Sequence, residues 1–357
     1  MKIGIDASSV IRKKTGIGSF ASSLIEEVRR QAKDIEFLLY RPRNGNDLNT
    51  PQRMVWEAAS IWQKARADRI SLLYSPGFSP PPFGPFKKIV TVHDLIGLIY
   101  PENVGRISRF YWSVWLPHNI RRADRLVASS DSTRRDIERL LGIPAKRVEV
   151  VPLAARPYFR DLKDKSFIET VLAKYNVQTP YIISVGTLEP RKNLLTLLRA
   201  YEKLNSKSPE ASLVIVGKPG GAEKELQNFI DEKFLTLRVK ILGYVTDEEL
   251  SALYNGAVAY AMISLYEGFG LPVLEAMSCR LTGVVSNNSS LPEVVGDTAI
   301  QVDPLNVGAV AEALKTLLED EPQRRHLAGA ALARSGDFSI QKTAKQMLDI
   351  FRTECGS

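Results

Sequence analysis

Short apolar runs, rich in β-branched residues, alternate with segments of helical periodicity along almost the whole chain. In the first half this pattern predicts six strands with helices between them. Two of these helices are Gly18–Gln31 and Ser132–Leu141, and the serine at the start of the second indicates Ser132 as its N-cap. The predicted strands are Lys2–Asp6, Phe37–Tyr40, Leu72–Ser75, Lys88–Val92, Arg125–Ser129 and Val148–Pro152.

The same alternation starts afresh near residue 180. Because it is typical of parallel sheets covered by helices on both faces, we expect an α/β protein with two doubly wound, Rossmann-like domains. The predicted strands of this second series are Tyr181–Val185, Ser212–Val216, Val239–Leu242, Ala257–Met262, Gly283–Ser286 and Ala299–Val302. Its predicted helices include Asn193–Asn205, Asp247–Asn255, Pro272–Cys279 and Val307–Asp320.

The domain boundaries follow from the breaks in this pattern. A length of 357 residues suits two domains better than one. We expect an N-terminal domain over residues 1–160, a linker within residues 154–180 and a C-terminal domain over residues 175–339. The last periodic segment, Ile340–Phe351 within residues 340–357, follows the final strand, and a helix there is a candidate to pack back on the first domain.

The composition indicates a globular protein of the reducing cytoplasm. Hydrophobic residues make up 44% of the chain and charged residues 25%, which are ordinary values for such proteins. The first residues begin a strand directly, so no secretory leader is expected, and no apolar run approaches the ~20 residues that cross a bilayer. The two cysteines, Cys279 and Cys355, are too few for a disulfide framework.

The net charge of +8 is unevenly distributed. Residues 1–175 hold 30 Lys/Arg against 18 Asp/Glu, a net of +12, whereas residues 176–357 hold 18 against 22, a net of −4. A basic half favours an anionic partner such as nucleic acid, anionic lipid or a phosphorylated substrate, although a well-solvated surface explains it equally well. A recognisable basic-aromatic nucleic-acid module is lacking, so no nucleic acid partner is expected.

Ligands of doubly wound sheets bind beyond the carboxyl ends of the strands, so the loops there are the candidate sites. In the first domain Gly16 and Gly18 open a helix after the first strand, where glycines let backbone N–H groups approach a ligand; a plain turn is an equal explanation. His93, one of three histidines, follows the fourth predicted strand. Its position favours chemistry, but a lone histidine is more often structural.

Two adjacent cations follow the first strand of the second domain. That strand runs into Gly186 and then into Arg191 and Lys192, just before a helix. Two cations there suit a diphosphate, whose negative charge grows as it leaves. The alternative is a basic first helical turn, which the helix dipole disfavours.

The strongest signal follows the predicted strand Ala257–Met262. The chain continues as Glu267-Gly268-Phe269-Gly270-Leu271-Pro272 and reaches Glu275 one turn into a helix. The two glycines permit unusual dihedral angles, and the proline fits the first helical turn, whose N–H groups face the loop. The two glutamates can therefore accept hydrogen bonds from different hydroxyls of one extended ligand, such as those of a sugar and a ribose.

Taken in order, these segments resemble the retaining GT-B glycosyltransferases of the family-4 type, over nearly the whole chain. Glu267 and Glu275 match the family's E-x7-E motif. Several motifs in the same order are far more specific than any one of them. The other matching segments are Gly16-Ile17-Gly18, Thr91-Val92-His93-Asp94, Ser129-Ser130-Asp131-Ser132-Thr133, Gly186–Asn193 and Gly243-Tyr244-Val245.

The resemblance implies a role for each matching residue. Glu275 would bind the ribose of a nucleotide-sugar donor. A catalytic set would consist of Glu267 and His93, which would contact the donor sugar, with Arg191 and Lys192, which would stabilise the leaving diphosphate. The other implied donor-binding residues are Gly16, Gly18, Gly186, Tyr244, Val245, Gly268, Phe269, Gly270 and Leu271.

The resemblance also implies an acceptor-binding first domain and a nucleotide-sugar-binding second domain facing a central cleft, with retention of the anomeric configuration. Neither a metal nor another cofactor is expected, because the basic pair replaces Mg²⁺ in this family. Two departures from the family pattern stand out. Arg280 and Thr282 replace a glycine and a proline after the second glutamate, and residues 152–156 read Pro-Leu-Ala-Ala-Arg where the family has Pro-x-Gly-x-Asp.

The layout around residues 91–125 looks most like bacterial mannosyltransferases of polysaccharide and O-antigen assembly. It favours GDP-mannose as the donor, ahead of UDP-glucose, and a glycan or lipid-diphosphate-linked acceptor. Aromatic and basic residues interleave over residues 106–125, which indicates either a peripheral helix at the inner face of the plasma membrane or a core-facing aromatic stripe. The alternatives are a UDP-sugar-dependent transferase of the same fold, a sugar-nucleotide epimerase, a glycan phosphorylase and a non-catalytic nucleotide-binding protein.

Overall fold

The structure, a computed structural model, describes residues 1–8, 10, 16–42, 48–77, 79–101, 105–205 and 211–356. The chain forms two compact units, one of residues 1–154 with 338–357 and one of residues 155–337. Each unit is built on a parallel six-stranded sheet with helices, so the predicted α/β class with two doubly wound sheets is confirmed.

The first unit contains one sheet with the strand order β2-β1-β3-β4-β5-β6, in which every neighbouring pair is parallel. Its strands are β1 (Lys2–Asp6), β2 (Glu36–Tyr40), β3 (Leu72–Ser75), β4 (Lys87–Val92), β5 (Arg125–Ala128) and β6 (Val148–Val150). Its first seven helices are α1 (Gly16–Gln31), α2 (Thr50–Val55), α3 (Ile61–Ala67), α4 (Ile96–Ile99), α5 (Arg106–Phe110), α6 (Leu116–Arg121) and α7 (Asp131–Leu141).

Two π-helical turns interrupt the helices of this unit. Trp56–Ser60 joins α2 to α3, and Tyr111–Trp115 joins α5 to α6. A 3₁₀ turn, Ala145–Arg147, precedes β6. The sheet is buried on both faces, as the consecutive buried residues of β3 show, because helices cover it on each side.

The second unit contains a sheet with the strand order β12-β11-β10-β7-β8-β9, again with parallel neighbours. Its strands are β7 (Tyr181–Val185), β8 (Ser212–Val216), β9 (Val239–Ile241), β10 (Ala259–Met262), β11 (Gly283–Ser286) and β12 (Ile300–Val302). Its helices are α8 (Lys165–Lys174), α9 (Leu194–Asn205), α10 (Glu223–Glu232), α11 (Asp247–Gly256), α12 (Leu271–Ser278), α13 (Leu291–Val295), α14 (Val307–Glu319) and α15 (Glu321–Ser335).

The C-terminal helix α16 (Ile340–Cys355) lies in the first unit and packs against α1. Phe351 is fully buried, with its ring centroid 5.1 Å from that of Tyr74. The hydroxyl of Thr343 donates to the carbonyl of Pro152 at 2.9 Å. An aromatic anchor in the core and this hydrogen bond therefore tie the end of the chain to its first sheet.

Three local predictions need correction. Helix α7 begins at Asp131 and its N-cap is Ser130, whose hydroxyl accepts from the backbone N–H of Thr133; Ser132 lies inside the first turn. Residues 155–180, predicted as part of a linker, belong to the second unit and include α8. The predicted basic-aromatic helix ends at Arg121, because the chain turns there to enter β5.

Candidate functional site

A buried carboxylate and two cations form the centre of the second unit's candidate site. Glu267 lies in the loop after β10, and its Oε1 is 2.6 Å from Nζ of Lys192. Its Oε2 is 3.2 Å from Nη1 of Arg191. The hydroxyl of Ser264 donates to Oε1 at 2.6 Å. The structure therefore brings together three of the residues that the sequence predicted, and adds Ser264, which it did not.

The two cations decide the charge state of Glu267. Burial alone would raise the pKa of this carboxyl group, but the charges of Lys192 and Arg191, with hydrogen bonds from Lys192 and Ser264, hold it below its usual value. Glu267 is therefore ionised at neutral pH. A buried carboxylate that is fully paired keeps its geometry, since removing either cation would leave a charge in a dry environment.

A 3₁₀ turn, Pro190–Lys192, places the cations. Asn193 ends this turn with φ of 56°, and its side-chain amide donates to the carbonyls of Ile263 at 3.1 Å and Pro304 at 2.7 Å. Helix α9 starts only at Leu194, so the pair precedes the helix, as predicted, and does not form its first turn. Asparagine tolerates this left-handed conformation better than most residues, which explains its presence here.

Gly186 lies against the side chain of Lys192. A Cβ atom at Gly186 would lie 3.0 Å from Cε of Lys192. A second glycine, Gly217, faces the carbonyl of Gly186 so closely that a Cβ there would meet it at 1.8 Å. Gly186 thus leaves space for the lysine side chain at the carboxyl end of β7, and Gly217 leaves space for the backbone of Gly186.

The glycine-bearing loop ends at Gly270, which has φ of 103° and stands at the N-cap of α12. A Cβ atom at this position would lie 2.7 Å from Leu291, so both backbone angle and space favour glycine. Hydrogen bonds of Glu267 to Ser289 and Ser290 fix the start of the loop: its N–H donates to the first hydroxyl, and its carbonyl accepts from the second. Gly268 and Phe269 lie between these fixed ends, and Leu271 is the first residue of α12.

The second glutamate has a different partner. Glu275 is buried in α12, and its Oε1 accepts from Nε of Arg156 at 3.1 Å and from Nη2 at 2.7 Å. Nη1 of Arg156 pairs with Asp247. Burial raises the pKa of Glu275 to about 7, although the neighbouring Arg156 opposes this rise. The two glutamates of the motif therefore lie in separate charge environments of the same unit.

Arg156 and Asp247 were not predicted as site residues. The signal available in the sequence was the departure at residues 152–156, where Arg156 stands in place of the family's aspartate. Thr282, which replaces a proline of the family pattern between α12 and β11, is buried, and its hydroxyl donates to the carbonyl of Thr298 at 2.8 Å. Its hydroxyl is therefore satisfied, and the missing proline leaves no unpaired group.

Tyr244 and Val245, also predicted as donor-binding residues, lie in the loop that follows β9. Tyr244 is exposed, and the centroid of its ring is 4.9 Å from the ammonium of Lys218. Its neighbour Val245 is buried. Gly243, with φ of 69°, turns the chain between them and β9, and its carbonyl accepts from the N–H of Gly217. The glycine that makes room for Gly186 is thus hydrogen-bonded to this loop.

In the first unit, His93 follows β4 and is buried. Its Nε2 lies 2.7 Å from the carbonyl oxygen of Pro76, while Nδ1 has no hydrogen-bond partner among the described residues. Burial lowers the pKa of His93, so the ring is neutral at neutral pH. With Nε2 donating to the carbonyl, Nδ1 is the remaining acceptor of the ring.

The predicted glycines of the first unit lie at the start of α1. Gly16 is the first residue of this helix and is exposed, whereas Gly18, two residues later, is buried. Phe20, on the same helix, meets His93 edge-on at 6.4 Å between ring centroids. The residue before Gly16, Thr15, lies outside the described residues.

Two family profiles match the chain. The profile described as Glycosyltransferase Family 4 matches residues 23–155, and the profile described as Glycosyl transferases group 1 matches residues 169–334. The O-antigen chain mannosyltransferase B of Escherichia coli is 32% identical over 268 residues, which are 74% of this chain and 70% of that protein. The serotype-specific mannosyltransferase WbdA of Escherichia coli is 31% identical over 276 residues; these are 75% of this chain but 33% of WbdA, a far longer protein.

Solved structures share the fold. The sucrose-phosphate synthase of Thermosynechococcus elongatus superposes with a TM-score of 0.78 at 19% identity, covering 99% of this chain and 98% of that chain. HepE of Anabaena, in complex with UDP-glucose, superposes with a TM-score of 0.75 at 18% identity, covering 99% of each chain. With its two matching profiles, its extended identity to a mannosyltransferase and the GT-B fold of these structures, the chain belongs to the group 1, family-4 type glycosyltransferases.

Proposed function

We propose that this glycosyltransferase transfers mannose from GDP-mannose, with retention, to a glycan or lipid-linked oligosaccharide acceptor in surface polysaccharide synthesis. The observation that carries the proposal is the convergence of Lys192 and Arg191 on buried Glu267 at the carboxyl ends of β7 and β10. Two cations fixed at one point suit a diphosphate leaving group. The names of the two Escherichia coli relatives, both mannosyltransferases, support mannose as the sugar.

The proposed roles follow from this arrangement. Lys192 and Arg191 bind the diphosphate and stabilise the charge that develops on it, in place of a metal ion. Glu267 accepts hydrogen bonds from the donor sugar, as does the acceptor atom Nδ1 of His93 from a sugar hydroxyl. Glu275 accepts from the ribose hydroxyls. The leaving phosphate takes the proton of the attacking hydroxyl, so no general base is needed.

A donor panel tests the proposal. Purified protein is incubated with GDP-mannose, GDP-fucose, UDP-glucose and UDP-N-acetylglucosamine, and thermal unfolding and release of the nucleoside diphosphate are recorded. We expect GDP-mannose to stabilise the protein most and to be hydrolysed slowly, and Glu275→Ala to abolish both effects. A larger response to a UDP-sugar would replace mannose in the proposal, and no response to any sugar nucleotide would refute it.

Two further measurements address the mechanism. Proton NMR of the first product formed from α-linked donor should show an α-glycosidic anomeric signal, as retention requires; a β signal would contradict it. Activity after dialysis against EDTA should equal that of untreated enzyme. A loss restored by Mg²⁺ or Mn²⁺ would show that the basic pair does not act alone on the diphosphate.

We also propose that the first unit docks on anionic lipid through a stripe on α5 and the following π-helical turn. Three apolar side chains at helical spacing are exposed there, Ile107, Phe110 and Val114, with exposed Arg106 and Arg109 beside them. Apolar residues flanked by arginines match an anionic membrane surface, which attracts cations and takes up apolar side chains. The net positive charge of residues 1–175 favours the same anionic surface.

Three of the four aromatic residues of this region are turned to the core and contribute less to the docking surface than the sequence indicated. Tyr111 is buried, and Trp112 and Trp115 are partly buried against the core. The core-facing alternative therefore holds for these three residues, and the docking proposal rests on the exposed apolar stripe of Ile107, Phe110 and Val114. None of the helices formed by the described residues is long and apolar enough to span a membrane.

Flotation with vesicles tests the docking. Vesicles with 30% phosphatidylglycerol should carry the protein at low salt, and vesicles of phosphatidylcholine alone should not. Replacing Ile107, Phe110 and Val114 by serine should abolish flotation, whereas serine at exposed Leu237 and Leu305 of the second unit should not. Failure of the wild-type protein to float with anionic vesicles would end the proposal.

A further inference from the structure

We propose that Arg156 is a positioning residue: it holds the carboxylate of Glu275 in the orientation that recognises the ribose of the donor nucleotide. This inference rests on the proposed function, which assigns ribose recognition to Glu275. It adds a residue that lies 119 positions away in the chain and belongs to none of the matching motifs.

The geometry of the pair leaves one carboxylate oxygen for a ligand. Both hydrogen bonds from Arg156, at 3.1 and 2.7 Å, end on Oε1 of Glu275. Oε2 is therefore the oxygen that a ribose hydroxyl can reach. Because the guanidinium is planar and its two contacting nitrogens are fixed relative to each other, the contact sets the rotation of the carboxylate as well as its position.

Arg156 is itself held in place by its neighbours. Its guanidinium lies 4.8 Å from the ring centroid of Phe159, which is buried against Tyr254. The segment that follows is fastened to α11 by two hydrogen bonds, from the hydroxyl of Ser251 to the carbonyl of Tyr158 and from the N–H of Leu162 to the amide oxygen of Asn255. The side chain is 12% exposed, so its direction is set by packing.

The charge balance around Glu275 makes the arginine necessary. Among the residues that the structure describes, the titratable groups that act on Glu275 are Arg156 from the segment after residue 154, Asp247 and Tyr254 from α11, and Cys279 at the C-cap of α12. Of these only Arg156 is cationic. Burial, with a smaller contribution from the charge of Asp247, raises the pKa of Glu275 to about 7 even though Arg156 opposes the rise, so without Arg156 the pKa would be higher still and the group would be neutral at neutral pH.

A protonated Glu275 would recognise ribose poorly. An ionised carboxylate offers acceptor positions on both oxygens, whereas the protonated group loses part of that capacity and its hydrogen bonds weaken. Arg156 occupies the position of the family's aspartate in the altered turn at residues 152–156. The departure from the family pattern therefore has a consequence: it supplies a cation where the usual residue would bring another negative charge.

The test compares nucleotides that differ only in the ribose hydroxyls. GDP and 2′,3′-dideoxy-GDP are titrated into wild type, Arg156→Met, Arg156→Lys and Glu275→Gln by calorimetry between pH 6 and 9, with UDP and 2′,3′-dideoxy-UDP in parallel. Arg325→Met is the matched control, since its arginine side chain is 79% exposed and forms only a surface ion pair. Thermal unfolding of each variant establishes that it is folded at the titration temperature.

We expect the wild type to prefer the natural nucleotide by at least tenfold at pH 8, and the preference to fall as the pH drops through about 7. In Arg156→Met the preference should be below threefold at pH 7 and recover towards pH 9, since the pKa of Glu275 is higher in this variant than in the wild type. Arg156→Lys should be intermediate, because it keeps the charge and loses the fork. Glu275→Gln should show a small preference at every pH.

The outcomes separate the inference from the proposed function. A wild type without any preference, or a preference untouched by Glu275→Gln, would refute ribose recognition by Glu275. A preference that depends on Glu275 but stays at its wild-type value and pH profile in Arg156→Met would refute the inference alone. If Arg156→Met lowers the affinities for the natural and dideoxy nucleotides equally, Arg156 has only a structural role and the inference is wrong.

Discussion

Glu57 in the first unit and Glu267 in the second are both buried carboxylates, yet their surroundings shift their pKa values in opposite directions. Burial raises the pKa of Glu57 to about 7, while the pKa of Glu267 lies below its usual value. Glu57 accepts hydrogen bonds from the hydroxyl of Ser79 at 2.5 Å, the phenol of Tyr111 at 2.9 Å and the indole of Trp115 at 2.7 Å.

The difference lies in the charge of the partners. Three neutral donors satisfy the oxygens of Glu57, and these hydrogen bonds together with the charge of Arg53 lower its pKa, but they do not offset the cost of taking a negative charge out of water. Glu267 has one neutral donor, Ser264, and two cations in direct contact. Three hydrogen bonds and the charge of Arg53 therefore hold Glu57 in place without keeping its pKa low, whereas two ion pairs keep Glu267 ionised. The first arrangement suits a structural junction between the two π-helical turns, and the second a site that receives an anionic group.

The largest effect is expected from removing a cation of the second arrangement. Lys192→Met keeps the apolar stem and deletes the charge that lies 2.6 Å from Glu267. We expect kcat to fall by about 10²–10³, as for the loss of one stabilising donor at a developing charge. The free energy of unfolding should fall by about 3 kcal/mol, because a buried ion pair is broken. A transfer assay with the donor identified in the panel and urea unfolding measure the two effects.

Lys163→Met is the control for this substitution. Its side chain is 82% exposed and pairs only with Asp161 at the surface, so activity and stability should stay close to wild type. Should Lys192→Met retain activity within threefold of wild type, the basic pair would not be the diphosphate site that we propose.

The second prediction concerns pH and distinguishes the two carboxylates directly. Glu57 has a pKa of about 7 in the folded protein and an ordinary value of 4.5 when unfolded, so the folded state takes up the proton first as the pH falls. The folded state therefore gains stability between pH 7 and 4.5, and the part of the stability that depends on protonated Glu57 is lost as the pH rises through 7. Relative to Glu57→Gln, the wild type should gain about 2 kcal/mol between pH 8 and pH 5.

Glu267 should show the opposite behaviour. Its pKa is lowered in the folded protein, so its contribution is fully present above the unfolded value of 4.5 and is lost only as the pH falls below it. The difference between wild type and Glu267→Gln should accordingly be constant from pH 8 to pH 5. Urea unfolding at four pH values measures the stability difference between wild type and each glutamine variant. If the two differences change with pH in the same way, the contrast between the two glutamates is wrong.

A smaller effect should follow when one serine is removed from each carboxylate. Ser79→Ala and Ser264→Ala each delete a hydrogen bond to a buried acceptor, at a cost of about 1–2 kcal/mol. The cost of Ser79→Ala should shrink towards pH 5, where Glu57 is protonated, and that of Ser264→Ala should not change over the same range. If both costs vary alike with pH, the cations do not determine the charge state of Glu267.

The sequence predicted the two sheets because their strands are continuous branched runs, which are typical of buried parallel strands. It did not predict the π-helical turns Trp56–Ser60 and Tyr111–Trp115. The reason is physical: these turns meet through the contacts of Glu57 with Tyr111 and Trp115, which are 54 and 58 positions away, and periodicity along the chain carries no information on such contacts. Ser130, the true N-cap of α7, was missed because Ser132 offers the same chemistry two residues later.

The candidate site was predictable in part for the same kind of reason. Glu267, Lys192 and Gly186 were found because they lie in the segments that follow β7 and β10, and the carboxyl ends of parallel strands share an edge. The pairing of Glu275 with Arg156 was not predicted, since Arg156 lies outside the strand–helix pattern, in a turn that departs from the family, and its side chain reaches α12 from there. A departure from a family pattern is a reason to examine a residue, but its partner emerges only from the fold.

The smallest predicted effect concerns the backbone conformation of Arg280 and does not depend on the charge of either glutamate. Arg280 follows α12 with φ of 57°, a left-handed conformation that favours glycine, the residue the family has there. Its side chain is 55% exposed and lies 3.8 Å from Asp161, a surface contact that contributes little. Arg280→Gly should therefore raise the free energy of unfolding by about 0.5–1 kcal/mol without altering either pH profile. Arg280→Ala, which removes the same side chain but keeps the backbone cost, should give no gain in urea unfolding; an equal gain in both variants would assign the effect to the side chain.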